Sequence, residues 1–188
     1  MKFVRTSMLA AAGLALIGCI PSVNPFYRSE DISFDRGLLG EWVDGDEHWV
    51  FERLENEDRY ILGYDNGDEN GSMFATLFTL GEHRFLDVIA AEMEFADDEW
   101  EIVQASVFPG HLLFHVEATD PTIRLALMDY DWLEEYIDDN PKALAHNRVG
   151  EERILLTGKT RELQRFVLRH IDDGELFDDP FELSRLGE

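Results

Sequence analysis

The stretch SMFATLFTL, residues 72–80, is apolar on both sides. Successive side chains of a strand point to opposite faces. Phe74, Phe78 and Leu80 therefore share one face, and Met73 and Leu77 share the other. A strand with one face in water alternates apolar with polar residues. The sequence therefore predicts a sheet whose second face is covered by other elements of the chain.

Shorter strands separated by turn residues surround this stretch and predict an antiparallel meander, hence a sandwich or barrel. They are predicted at residues 38–43, 48–54, 60–64, 84–90, 100–107, 112–116 and 122–128.

The apolar period changes to that of a helix after residue 128. A first helix is predicted around Trp132 and Ile137, with Asp131 as N-cap, and a second beginning at Asn140-Pro141. A third carries the stripe Leu163, Phe166, Val167 and His170, with Thr160 as cap. Residues 154–157 predict one more strand, and residues 176–186 only a short turn. These helices are the elements available to cover the sheet.

The N-terminus has the pattern of a secretory signal peptide. Lys2 and Arg5 precede an apolar run of ten residues, 8–17, which is too short for the roughly 20 residues that span a bilayer. Leu16-Ile17-Gly18-Cys19 follows and resembles the lipobox of bacterial lipoproteins. The resemblance implies that the Cys19 thiolate receives a diacylglyceryl group, that a peptidase cuts between Gly18 and Cys19, and that Cys19 becomes the acylated N-terminus. An ordinary signal peptide with an incidental cysteine is the alternative.

The predicted organisation is a lipoprotein signal peptide at 1–18, a lipidated N-terminus and tether at 19–37, and one β-rich domain with C-terminal helices at 38–188. Acyl chains on Cys19 would anchor the protein to a membrane of the cell envelope. Residue 20 is Ile rather than Asp, which under the sorting rule of the bacterial lipoproteins that the chain resembles implies the outer membrane if the host has two. Without another cysteine, the domain depends on its core for stability.

The chain carries a net charge of −24, from 40 acidic and 16 basic residues. Nucleic-acid binding requires a basic surface, so that class of function is excluded. The charge also disfavours close contact with anionic lipid, which predicts that the domain stands off the bilayer. The acidic surface has two interpretations, a solvated face that resists aggregation or a cation-binding, salt-adapted face.

The sequence LLGEW at residues 38–42 resembles the Gly-x-Trp opening of lipocalin-like (calycin) barrels. The resemblance implies that Gly40 and Trp42 lie on the first strand and close one end of the barrel. A late basic residue packs on the Trp in that family, and Arg124, Arg161 and Arg165 are the candidates. Residues 24–42 also resemble uncharacterised bacterial lipoproteins. The predicted fold class is mainly β (α+β), an antiparallel meander forming a lipocalin-like barrel or curved sheet with C-terminal helices packed on it.

Aromatic residues supply most of the apolar mass of the meander. They predict either a filled core or an aromatic-lined pocket for an apolar ligand. The candidates for pocket lining are Trp49, Phe51, Tyr60, Tyr64, Phe74, Phe78, Phe85 and Phe114.

Other motifs carry little chemistry. Gly158-Lys159-Thr160 resembles the end of a phosphate-binding loop, but Arg153 stands where that loop needs glycine. Residues 66–71 fit half of a calcium loop, and Leu77 stands where its bidentate Glu belongs. His111 and His115 would lie about 13 Å apart along a strand, too far to share a metal. We therefore expect no metal and no cofactor.

Together these patterns predict a membrane-anchored cell-envelope lipoprotein, non-enzymatic, that binds a small apolar ligand. An interaction or scaffold lipoprotein without a small ligand is the alternative, and a hydrolase is the third hypothesis.

Overall fold

The computed structural model describes residues 19–91, 109–150 and 153–187. The predicted signal peptide with Gly18, and the strand predicted at 100–107, lie outside the described residues. No helix in the described ranges is long and apolar enough to cross a membrane.

Eight antiparallel strands form a closed barrel, which confirms the predicted fold class. Around the barrel each strand pairs with the next, and the last pairs with the first, so the barrel has no free edge. In spatial order the strands are β1 (Gly40–Asp44), β10 (Phe181–Arg185), β7 (Ile123–Leu127), β6 (Leu112–Ala118), β5 (His83–Ala90), β4 (Asn70–Leu80), β3 (Tyr60–Asp65) and β2 (Glu47–Arg53).

Strand β4 has two buried faces, as its sequence predicts. Ala75 and Leu77 face the barrel interior and belong to its core. Phe78 and Leu80 belong to a second core, outside the barrel wall. The barrel wall therefore separates two apolar layers, and β4 contributes to both.

The outer layer consists of α1 (Tyr130–Asp139), α2 (Thr160–His170) and a two-stranded sheet of β8 (His146–Arg148) and β9 (Ile154–Leu156). Leu133 and Ile137 of α1, and Phe166 and Val167 of α2, pack into the same core as Phe78. The C-terminal helices thus cover the second face of the sheet, as expected.

The helix boundaries differ from the prediction in three places. Asp129 caps α1 instead of Asp131, because its carboxylate accepts the Trp132 N–H. The helix predicted at Asn140 is wrong, since Asn140 ends α1 and its N–H donates to the Tyr136 carbonyl. Thr160 is the first residue of α2, and Lys159 is its N-cap.

The strand β10 was not predicted, although residues 181–185 alternate in the manner of a strand. Phe181 and Leu183 face the barrel interior, and Glu182 and Ser184 face solvent. Alternation over only five residues is a weak signal for a strand. Pairing with β1 and β7 stabilises this segment as a strand.

Trp42 lies in the barrel core, with its ring toward the end at which β1 begins, and is 1% exposed. Its indole N–H donates to the Leu38 carbonyl at 2.9 Å. The Arg185 guanidinium lies 4.3 Å from the Trp42 ring centre and donates to the Leu39 and Gly37 carbonyls. The candidates Arg124, Arg161 and Arg165 were therefore wrong, because the unpredicted β10 pairs Arg185 with Trp42.

Asp35 ties the chain entering β1 to this end of the barrel. Its carboxylate accepts hydrogen bonds from the Gly37 N–H at 2.8 Å, the Thr119 hydroxyl at 2.9 Å and the Arg84 guanidinium at 2.9 Å. Burial alone would raise the pKa of Asp35, but these hydrogen bonds outweigh it and lower the pKa. The Asp35 backbone also exchanges two hydrogen bonds with the Tyr60 hydroxyl, and burial raises the pKa of Tyr60 to about 12.

We expect Asp35→Asn to lower the free energy of unfolding at pH 7 by about 1–3 kcal/mol, because it removes the charge that three donors share. Because the pKa of Asp35 in the folded protein is below its usual value of 3.8, the charged carboxylate stabilises the fold above that pH. This stabilisation is lost as the pH falls through the lower folded-state pKa. In urea denaturation, the gap between wild type and variant should hold from pH 7 to about pH 4 and shrink below that. Asp46→Asn, in the exposed β1–β2 turn, is the control, and an equal effect of both variants would contradict the prediction.

Candidate ligand-binding site

A cavity of about 200 Å³ lies at the end of the barrel where β1, β3, β5 and β7 end and β2, β4, β6 and β10 begin. It lies between the β1–β2 turn, the β3–β4 turn and the start of β6. Most of its wall is apolar, and polar groups stand at its rim. Its lining residues are Cys19, Asp44, Glu47, Trp49, Tyr64, Asn66, Met73, Val88, Leu112, Phe114, Leu127 and Phe181.

Four aromatic rings form one side of the cavity. The Trp49 ring centre lies 5.2 Å from that of Tyr64, 6.4 Å from Phe114 and 5.8 Å from Phe181. Phe114 and Phe181 meet edge to face at 6.3 Å. Three of these four contacts are edge to face, the arrangement that aromatic quadrupoles favour.

The polar groups of the cavity are acidic or neutral. The Glu47 carboxylate accepts the Trp49 indole N–H at 3.2 Å, and the Asn66 amide donates to the Tyr64 hydroxyl at 3.2 Å. Burial, assisted by the charge of Glu47, raises the pKa of Tyr64. Among the described lining residues there is no Lys, Arg or His.

The aromatic residues predicted to line a pocket separate into four groups. Trp49, Tyr64 and Phe114 line the cavity. Phe51 and Tyr60 lie in the barrel core without reaching the cavity, and Phe78 and Phe85 lie in the outer core. Phe74 is half-buried, with the Arg59 guanidinium 5.6 Å from its ring. The alternation along each strand separates these groups, because only every second side chain enters the barrel.

Several lining residues were not among the sequence candidates. Phe181 belongs to the unpredicted β10. Met73, Val88, Leu112 and Leu127 are aliphatic, and the sequence gives no signal that separates them from ordinary core residues.

Cys19 lies at this cavity because the chain that follows it is fixed to the barrel. Ile20 is buried, and Ser22 exchanges two backbone hydrogen bonds of 2.9 Å with His111. The Leu156 N–H donates to the Pro21 carbonyl, and the Val23 N–H donates to the Leu156 carbonyl. Part of the segment predicted as a tether is therefore an extra strand-like element between β6 and β9. Burial also raises the pKa of the Cys19 thiol.

A buried carboxylate completes this attachment. Asp87 on β5 is 1% exposed. It accepts the Phe26 N–H at 2.9 Å and pairs with His111 Nδ1 at 2.6 Å. Gln164 of α2 donates to the Phe26 carbonyl at 2.9 Å. The N-terminal segment is thus bound to the barrel on one side and to the helical layer on the other.

The other sequence motifs form no second site. In the described part of the chain, no group of three or more His, Cys, Asp or Glu side chains is placed to hold a metal. Residues 66–69 form a turn in which Asn66 accepts the Asp68 and Glu69 N–H groups. Gly158 and Lys159 lead into α2. A second depression, of about 230 Å³, lies beside α2, and Lys142, Glu162, Arg165 and Arg169 make its lining largely charged.

Comparison with protein families, with curated proteins and with solved structures finds no match for this chain.

We expect Asp87→Asn to release the N-terminal segment. An amide has one acceptor oxygen in place of two and carries no charge, so it weakens the buried hydrogen bonding to the Phe26 N–H and His111, at a cost of about 1–3 kcal/mol. Hydrogen exchange should accelerate at the Ser22, Val23 and Phe26 amides, while amides of the barrel strands β2 and β3 stay protected.

Asp65→Asn, on an exposed position of β3, is the matched control. Unchanged protection of residues 22–26 in Asp87→Asn would show that the carboxylate does not hold the segment.

Proposed function

We propose that this protein is a cell-envelope lipoprotein, anchored through acyl chains on Cys19, that binds a small apolar ligand at the open end of its barrel. The observation that carries the proposal is the position of Cys19 at the rim of an apolar, aromatic-lined cavity. The proposed role is non-enzymatic, and the proposed site is the outer membrane if the host has two.

The apolar wall supports the choice of ligand. Trp49 and Phe114 are each 7% exposed, and that exposure is in a concave site. Small-molecule sites are concave, mostly apolar and carry a few polar groups that orient the ligand. The cavity has this composition, with Glu47, Tyr64 and Asn66 as the orienting groups.

The N-terminal segment supports a particular orientation on the membrane. An acyl chain on Cys19 would be one residue away from Ile20, which is buried in the outer core. Because no flexible linker would separate the anchor from the barrel, the cavity would open close to the bilayer surface. An apolar ligand could then pass between the bilayer and the cavity with little exposure to water.

The interaction or scaffold alternative receives less support. A protein-binding face is expected to expose a contiguous apolar patch. Among the described residues the exposed large apolar side chains are Val149, Leu168 and Leu186, and Leu168 alone is on a helix.

We expect native mass spectrometry of the lipidated chain, extracted gently in digitonin, to show a co-purifying small molecule that organic solvent removes. Leu112→Trp places a larger side chain in the cavity and should abolish the added mass. Val50→Trp introduces the same side chain on the outer face of β2 and should retain the added mass. A bare wild-type mass, or equal retention by both variants, would count against the cavity as a ligand site.

The anchor is tested separately. Wild-type chain expressed in a bacterial host should begin at Cys19, carry the mass of acyl chains and remain with membranes after a carbonate wash. Cys19→Ser should lack the acyl mass, because a hydroxyl is a far poorer nucleophile than a thiolate. A mature wild-type chain with a free thiol would refute the anchor and leave ligand binding by the cavity unaffected.

A further inference from the structure

The cavity combines aromatic rings with negative charge, and the combination is specific in its chemistry. The rings of Trp49, Tyr64, Phe114 and Phe181 line one side of the cavity, and the carboxylates of Glu47 and Asp44 stand at its rim. The face of an aromatic ring carries partial negative charge and attracts cations, Trp most strongly. Rings and carboxylates therefore favour the same kind of ligand.

We propose that this cavity, taken as a ligand site on the basis of the proposed function, selects molecules that carry an alkylated ammonium group. The ammonium would lie against the four rings, close to the Glu47 carboxylate. Its methyl or methylene groups would contact the apolar wall.

The geometry of Glu47 supports this assignment. Its carboxylate accepts the Trp49 indole N–H at 3.2 Å and therefore lies at the edge of the largest of the four rings. A cation over the rings would therefore also be near a localised negative charge. Such charges interact more strongly in a partly enclosed site than in water.

The charge of the whole chain acts in the same direction. A net charge of −24 draws cations toward the protein surface and raises their local concentration. The same field would repel a ligand whose carboxylate or phosphate approaches the rings. The described lining residues also include no Lys, Arg or His that could bind such a group. A simple fatty acid is therefore disfavoured relative to an ammonium compound of equal apolar volume.

The size of the cavity fits a small head group. About 200 Å³ is space for about seven groups of the volume of a water molecule. Choline is of that size. The ammonium could belong to a free small molecule or to the headgroup of a membrane lipid, since both present the same chemistry.

The test uses three probes of the same shape and different charge: choline, 3,3-dimethylbutanol and 3,3-dimethylbutanoate. Binding to the lipidated full-length mature chain in digitonin, an uncharged detergent, is measured by calorimetry. We expect choline to bind about tenfold more tightly than the neutral alcohol, and the anion to bind least. Preference for the alcohol or the anion over choline would overturn the ammonium assignment and leave apolar ligand binding intact. No binding by any of the three, with a co-purifying molecule still seen in the native mass spectrum, would also overturn it.

Two pairs of variants separate the contributions of charge and ring. Glu47→Gln should weaken choline binding severalfold and leave the alcohol unchanged, whereas Glu52→Gln, on the outer face of β2, should affect neither. Tyr64→Leu should weaken choline binding, and Tyr64→Phe should preserve it. The alcohol reports in each variant that the cavity is still folded. Equal losses of choline and alcohol in Glu47→Gln would contradict the role assigned to its charge.

The source of the ammonium is identified by placing the protein in lipid nanodiscs. In discs of phosphatidylcholine, a lipid headgroup that reaches the cavity should compete with free choline and reduce its binding. Discs of phosphatidylglycerol have no ammonium and should not compete. Competition would identify the lipid as the ligand, and undiminished binding in both would identify a free small molecule. Loss of choline binding in phosphatidylglycerol alone would contradict the proposal.

Discussion

The pairing of β10 with β1 is the contact on which the barrel depends. Without it β1 and β10 would each present an unpaired edge, and the sheet would remain open. The same pairing places Arg185 over Trp42, where the guanidinium satisfies two carbonyl groups of the turn that leads into β1. One short strand therefore completes the hydrogen bonding of the wall and places Arg185 against Trp42. It also supplies Phe181 to the cavity at the other end.

Side chains fill the barrel interior at one end, the closed end, and leave a cavity at the other, the open end. At the closed end Trp42, Phe51 and Tyr60 are each at most 1% exposed. At the open end Trp49, Tyr64 and Phe114 meet edge to face and leave a cavity between them. The same apolar residue classes thus form a packed core in one half and a recess in the other. The polar rim of Asp44, Glu47 and Asn66 marks the boundary of that recess with solvent.

The N-terminal segment links the proposed anchor to the site. A flexible tether would let the barrel adopt any orientation relative to a membrane. Here Ser22 and Phe26 are bound by backbone and carboxylate hydrogen bonds, so the position of Cys19 relative to the cavity is set by the fold. The acidic charge predicts that the domain stands away from anionic lipid. The short connection from the proposed anchor at Cys19 would instead hold the domain close to the membrane. If the cavity attracts ammonium groups, close contact between the acidic domain and a bilayer rich in zwitterionic lipid would be less unfavourable.

Local patterns in the sequence were sufficient for the antiparallel meander, for the two-sided character of β4 and for the helices that cover it. These features depend on alternation and helical periodicity, which neighbouring residues alone display. Trp49, Tyr64 and Phe114 were also found this way, as aromatic residues of predicted strands. The other features of the fold and of the cavity depend on the register between strands that are distant in the sequence. It decides that Arg185 meets Trp42, that Phe78 and Phe85 face the helices instead of the cavity, and that Cys19 and Phe181 reach the same rim. A periodic pattern identifies the faces of a strand, but only closure of the barrel decides which face is inside, because that choice depends on pairings between residues far apart in the chain.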